Sequence, residues 1–105
     1  MGFFSNLFGN AVADEELANK INNGAMLVDV RSQSEFASGS AKGAINIPLE
    51  TIQNHLAKFK NKNHIVVFCR SGNRSGQAKE ILENNGIKNV INGINTDTMN
   101  AELAK

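Results

Sequence analysis

The 105-residue sequence has one cysteine, Cys69, and two histidines, and its 11 Lys and Arg barely outnumber its 10 Asp and Glu. A single cysteine excludes an internal disulfide and any multi-cysteine metal site, and a reducing compartment is its natural home. A net charge of +1 supplies no global basic field of the kind that non-specific nucleic-acid binding relies on, so no nucleic-acid partner is expected. No run approaches the about 20 mostly apolar residues of a membrane span. Residues 1–10 have no Lys or Arg and no continuous apolar run, and so lack both the charged and the apolar regions of a secretory signal. The chain is expected to be cytoplasmic.

What is present is an ordinary globular composition, 41% hydrophobic and 20% charged, at a length that holds one domain of the usual ~100–200 residues. We divide it into an N-terminal apolar segment, 1–10, and a single domain, 11–105. In the first segment Phe3/Leu7 and Phe4/Phe8 are spaced i,i+4, so one helical turn gathers them on one face. Docking on the parent domain, or fraying as termini do, is the plainer reading of that face than contact with a membrane. Asn6 stands where an N-myristoylation signal wants Ser or Thr.

Asp14-Glu15-Glu16 opens an apolar-periodic stretch and Asn23-Gly24 closes it, which predicts a helix over 14–23. Residues 25–30, Ala-Met-Leu-Val-Asp-Val, form a short apolar run of the kind that lies buried on both faces in a parallel sheet. Ile45 and Ile47 alternate across a brief strand before Pro48, and Leu49, Ile52, Leu56 and Phe59 stand at helical spacing after it. Ile65 to Phe68 is a second buried strand. A helix follows from Arg74 to Asn85 with Ala78, Ile81 and Leu82 on one face; Asn85-Gly86 ends it, and residues 89–91 form another short strand. Helices alternating with short apolar strands predict an α/β domain: three layers, α/β/α, around a central parallel sheet. Ligands of such sheets sit outside the carboxyl ends of the strands.

At the carboxyl end of the second buried strand comes Cys69-Arg70-Ser71-Gly72-Asn73-Arg74-Ser75. A strand-to-helix loop of this kind turns backbone N–H groups inward and adds the positive end of a helix dipole, which makes an anion cradle. Gly72 permits the tight turn. Arg70 and Arg74 bring two positive charges that, with the dipole, are expected to lower the thiol pKa from its free value near ~8.5 and favour a nucleophilic thiolate. A small buried apolar cysteine would not explain so polar a neighbourhood. Neither histidine suits the role of general base. His64 lies five residues back along the same strand, about 16 Å away at ~3.3 Å per residue, and His55 falls on the predicted helix as a solvated or capping side chain. Activation by the loop's electrostatics is therefore expected in place of a Cys–His dyad.

The sequence resembles the rhodanese family, specifically its single-domain sulfurtransferases, over nearly the whole chain. The residues that carry the resemblance are Asp29-Val30-Arg31 with Glu35-Phe36 and Gly39, then Gly43-Ala44-Ile45-Asn46-Ile47-Pro48-Leu49, then the loop from Cys69 to Ser75. The resemblance implies a rhodanese-like parallel sheet of about five strands, a catalytic Cys69 that carries sulfane sulfur as a persulfide, and a substrate-binding loop of Arg70, Ser71, Gly72, Asn73, Arg74 and Ser75. It implies partners that are a small sulfur-containing anion such as thiosulfate as donor and a thiol, a protein thiol or cyanide as acceptor, and it calls for no cofactor or metal. A persulfide carrier or partner-binding module with little turnover on small donors is the alternative. Asp29 and Arg31 fit a structural ion pair or cap. Two departures stand out: Ser40 where the family often has a histidine, and Asn92-Gly93-Ile94 in place of a more usual double glycine. Cysteine phosphatases also build a strand-loop-helix cradle, but with the arginine six positions after the cysteine. Here Arg74 is five positions on, and the smaller ring suits one extra sulfur better than a tetrahedral oxyanion.

Overall fold

The computed structural model describes residues 17–104. The Phe3–Phe8 face and the expected helix start at Asp14 lie outside the described residues. Helix α1 covers 17–22 of these and gives way to a turn at Asn23-Gly24. Strands β1 (Met26–Asp29), β2 (Ile45–Asn46), β3 (Ile65–Cys69) and β4 (Val90–Asn95) form one sheet in the order β2-β1-β3-β4. Every pairing is parallel. The described residues thus hold four strands where the resemblance implies about five.

The layers follow from the alternation along β3. Ile65, Val67 and Cys69 face one side and pack with Ile52 and Phe59 of a 3-10 helix (Leu49–Phe59) and with Ala78 and Leu82 of a helix that follows β3. Val66 and Phe68 face the other side and pack with Leu17 and Met99. All five residues of β3 are buried, as a strand covered on both faces requires. Burying a side chain the size of Phe59 or Ile52 contributes roughly 1.5–3 kcal/mol each, so each face is held by several such terms.

Four local differences separate the structure from the sequence reading. The segment after Pro48 is 3-10 rather than α, and it is broken at His55, whose φ of −124° is not helical. Side chains three apart eclipse in a 3-10 turn; Leu49 and Ile52 make one such pair, Leu56 and Phe59 another, and the break at His55 supplies the extra residue between them. Helix α2 (Gln33–Ala37) was not expected. It is announced by a capping box in which Ser32 Oγ accepts from the Glu35 N–H and the Glu35 carboxylate accepts from the Ser32 N–H, the S-x-x-E pattern. Helix α3 (Asn73–Asn84) starts one residue earlier than expected, and helix α4 (Thr96–Leu103), also unexpected, is capped by the Asn95 side chain, which accepts from the Thr98 N–H.

β4 carries a bulge. Val67 pairs with Asn92 and Phe68 with Ile94, so Gly93 is the extra residue between them. Because the sheet is parallel throughout, the ends of β1, β3 and β4 lie on one edge, and Arg31, Cys69 and Asn95 line a common cleft there. No helix among the described residues is long and apolar enough to cross a membrane.

Candidate active site

Cys69 is the last residue of β3, and α3 begins only four residues later. So short a link forces residues 70–72 into a tight turn, which Gly72 closes at φ +93°, a left-handed conformation that a residue with a Cβ adopts at a cost. The turn points two backbone donors at the sulfur: the Gly72 N–H at 3.1 Å and the Ser75 N–H at 3.4 Å. The second is one of the N–H groups that a helix start leaves without an intrahelical partner. Ser75 Oγ lies 3.4 Å from Sγ. Cys69 is 1% exposed. Burial is the largest single influence on the thiol and pushes its pKa up, but hydrogen bonds from Ser75, Ser71 and Gly72 together outweigh it and hold the thiol below its ordinary value.

The expected source of that acidity was different. Arg74 does not turn to the sulfur; its guanidinium grips the Glu35 carboxylate of α2 with two bonds, at 2.8 and 3.0 Å. The pair, together with the Ser32 N–H, holds the Glu35 carboxyl well below the usual carboxylate range. Arg74 still feels the Cys69 charge, but its nearest partner is an anion, which cancels much of its field at the thiol. Arg70 is exposed and stands on the wall of the cleft. Asn73 turns away, its Oδ1 accepting from Gln77. Of the seven residues from 69 to 75, the structure therefore brings Cys69, Ser71, Gly72 and Ser75 together around one sulfur atom, places Arg70 at the rim, and commits Arg74 to a bridge between α2 and α3.

The cleft over Cys69 has a volume of about 430 Å³ and is lined by Arg31, Glu35, Arg70, Asn95, Thr96 and Asp97 among others. Arg31 is not free in it: Nε and Nη2 bind the buried Asp29 carboxylate, and Nη2 also donates to the Gly39 carbonyl. Ser40 completes the arrangement by donating to Asp29 Oδ2 at 2.7 Å. Asp29 and Arg31 are thus the structural pair expected of them. His64 precedes β3 at the end of the strand remote from Cys69, and His55 sits at the break in the 3-10 helix. Neither lines the cleft. Among the described residues no group of three or more His, Cys, Asp or Glu gathers as a metal site.

Sequence reasoning missed Asn92. From β4 it donates to the Gly72 carbonyl at 3.0 Å and accepts from the Ser75 hydroxyl at 2.7 Å. The local hint was the departure of Asn92-Gly93-Ile94 from the double glycine more usual in the family.

The domain is thus a parallel α/β/α fold with a lone cysteine held by backbone N–H groups at the end of a central strand. The sequence model of the family described as "Rhodanese-like domain" matches residues 13–95, and the chain belongs to that family. The thiosulfate sulfurtransferase PspE of Escherichia coli is 42% identical over 67 residues, which cover 62% of this chain and 64% of that protein. This chain thus matches just under two thirds of that relative's length. A sulfurtransferase of Allochromatium vinosum is 31% identical over 85 residues, 79% of each chain. Among solved structures, a rhodanese-like domain protein from Staphylococcus aureus superposes with a TM-score of 0.69 at 32% identity, covering 83% of this chain and 86% of that one. The human single-domain sulfurtransferase TSTD1 does so with a TM-score of 0.65 at 28% identity, covering 87% and 92%.

Proposed function

We propose that the protein is a sulfurtransferase that moves sulfane sulfur through a persulfide on Cys69. The observation that carries this reading is the set of donors around Sγ: two backbone N–H groups within 3.4 Å and no imidazole beside them. Such a cradle stabilises an anion on sulfur by preorganised hydrogen bonds, without needing a general base. In the first step the Cys69 thiolate attacks the sulfane sulfur of an anionic donor such as thiosulfate. The S–S bond of the donor breaks, sulfite leaves with the bonding electrons, and Cys69 becomes a persulfide anion. In the second step a thiolate or cyanide attacks the outer sulfur, leaves as a persulfide or thiocyanate, and returns the Cys69 thiolate. Charge balances in both steps, and ping-pong kinetics follow.

Arg70, exposed at the rim, draws the donor anion in. Ser71, Gly72 and Ser75 supply N–H groups to the sulfur, Asn73 starts α3, and Arg74 holds the first turn of that helix against α2 through Glu35. With no second cysteine in the chain, the persulfide is discharged to an external acceptor. The exposure of Arg70, Ser71 and Asn73 also favours a second reading, a carrier that hands its sulfur to a partner protein and turns over small donors poorly. Incubation with thiosulfate followed by intact mass measurement, with and without cyanide, distinguishes them. A one-sulfur gain that cyanide removes catalytically as thiocyanate supports the transferase, and a gain that persists with little thiocyanate supports the carrier. An unchanged mass refutes both.

A further inference from the structure

The chemistry above makes no use of Asn92, yet its side chain forms three hydrogen bonds around the loop that holds Cys69. Nδ2 donates to the Gly72 carbonyl at 3.0 Å; Oδ1 accepts from the Ser75 hydroxyl at 2.7 Å and from the Ile94 N–H at 2.9 Å. The orientation of the amide is settled twice over, because an N–H can only face its oxygen and a carbonyl can only face its nitrogen. The backbone beneath it is unusual. The Gly93 bulge separates Asn92 from Ile94 on β4, and bulges beside functional sites re-aim side chains. Ile94 holds φ +75°, a left-handed conformation that is costly for a β-branched residue and persists only where its surroundings enforce it.

The Ser75 hydroxyl has one proton. Asn92 Oδ1, at 2.7 Å, competes for it with Sγ, at 3.4 Å. The donors fixed on the sulfur are backbone N–H groups, those of Gly72 at 3.1 Å and Ser75 at 3.4 Å among them. Both belong to residues that Asn92 grips. We propose that Asn92 is a positioning residue: by tying the Gly72 carbonyl and the Ser75 hydroxyl to β4, it keeps the N–H groups of those two residues aimed at the Cys69 sulfur. The thiolate part of this stands on geometry alone, while its extension to the persulfide rests on the function proposed above. The charged groups around the cleft are Arg70 on the loop, Arg31 after β1, the Glu35–Arg74 pair between α2 and α3, and Asp97 on α4; none of them bonds to Asn92.

The test is the rate of Cys69 alkylation by iodoacetamide as a function of pH. Because Asn92→Ala alone would free the Ser75 hydroxyl to donate to Sγ, the comparison is made in a Ser75→Ala background, where only the backbone donors remain. Adding Asn92→Ala is expected to move the midpoint of the profile upward and to slow alkylation at pH 7 by about three- to ten-fold, since the thiolate is the reacting form. Adding Phe59→Leu, which loosens the core beside the cleft lined by residues 59–62 and 85–89 and not the one over Cys69, lowers the Tm and leaves the midpoint in place. If Asn92→Ala does not fold, Asn92→Ser, too short to reach Gly72, replaces it with the same expectation. A midpoint unmoved by the Asn92 change, or moved equally by Phe59→Leu at equal loss of Tm, overturns the proposal. Sulfur loading from thiosulfate is measured alongside in the parent and in Ser75→Ala with and without Asn92→Ser. A parent that takes up no sulfur refutes the sulfur-transfer reading and leaves the alkylation result standing, whereas Ser75→Ala proteins that load equally fast with and without Asn92→Ser contradict the role of Asn92 toward the persulfide.

Discussion

Adding a single methyl group at Gly93 probes the bulge on which the site is built. A Cβ there would lie 2.7 Å from Met99 Sδ and 2.8 Å from Val66 Cγ1, closer than carbon and sulfur atoms pack. Val66 and Met99 are both fully buried. Met99 has a flexible side chain and can yield in part, but Val66 is β-branched and its χ1 is stiff. It sits in the central strand with cores on either side, so relief must come from shifting β4 or α4. Overpacking of this kind typically costs about 1–3 kcal/mol. For a domain of this size each kcal/mol moves the Tm by roughly 4–8 °C, so Gly93→Ala is expected to melt about 4–20 °C below the parent by circular dichroism or calorimetry. The change also disturbs the register that presents Asn92, so in a Ser75→Ala background, at a temperature where the variant is folded, Cys69 should alkylate more slowly at neutral pH. A Tm within about a degree of the parent would show that the interface of β4 with α4 and β3 is slack, and the packing account of the bulge would then be wrong.

Other expectations follow from the same geometry. Gly76 lies within α3 with an ordinary backbone, and a Cβ there would meet only Asn92 Nδ2, at 3.5 Å, a normal contact; Gly76→Ala is therefore expected to stabilise the protein by about 0.5–1 kcal/mol, read as a higher denaturant midpoint, and a lower midpoint would mean that the Asn92 amide cannot tolerate the methyl group. Because hydrogen bonds to the sulfur outweigh its burial, Cys69 ionises more readily than a free cysteine, and its alkylation should rise with pH to a half-maximum below that of a free cysteine measured alongside. A half-maximum at or above that value would mean that burial prevails.

Much of the frame was legible because its signals are local. Apolar runs placed β1 and β3, and the Asn-Gly pairs that end two helices do so with Gly24 and Gly86 at φ near +80°, the helix-terminating conformation such pairs favour. The cysteine at the end of β3 and the short loop after it could be read directly, since strand, turn and helix are consecutive in sequence. What was not legible depends on partners distant in the chain. Arg74 looked like a charge for the thiol, and nothing near it reveals that Glu35, 39 residues away, claims it. Asn92 reaches Gly72 and Ser75 across 20 and 17 residues, and the bulge that presents it is a property of two paired strands. Helix α2 is a different case. Its capping box was present in Ser32 and Glu35, but five residues are too few for apolar periodicity to declare a helix.

The measurement that bears most directly on the central claim is the intact mass of the protein after incubation with thiosulfate and removal of excess donor, run beside Cys69→Ser. The account predicts a gain of one sulfur atom on the parent, released by cyanide or a thiol, and no gain on Cys69→Ser. An unchanged parent mass, or the same gain on Cys69→Ser, would contradict it.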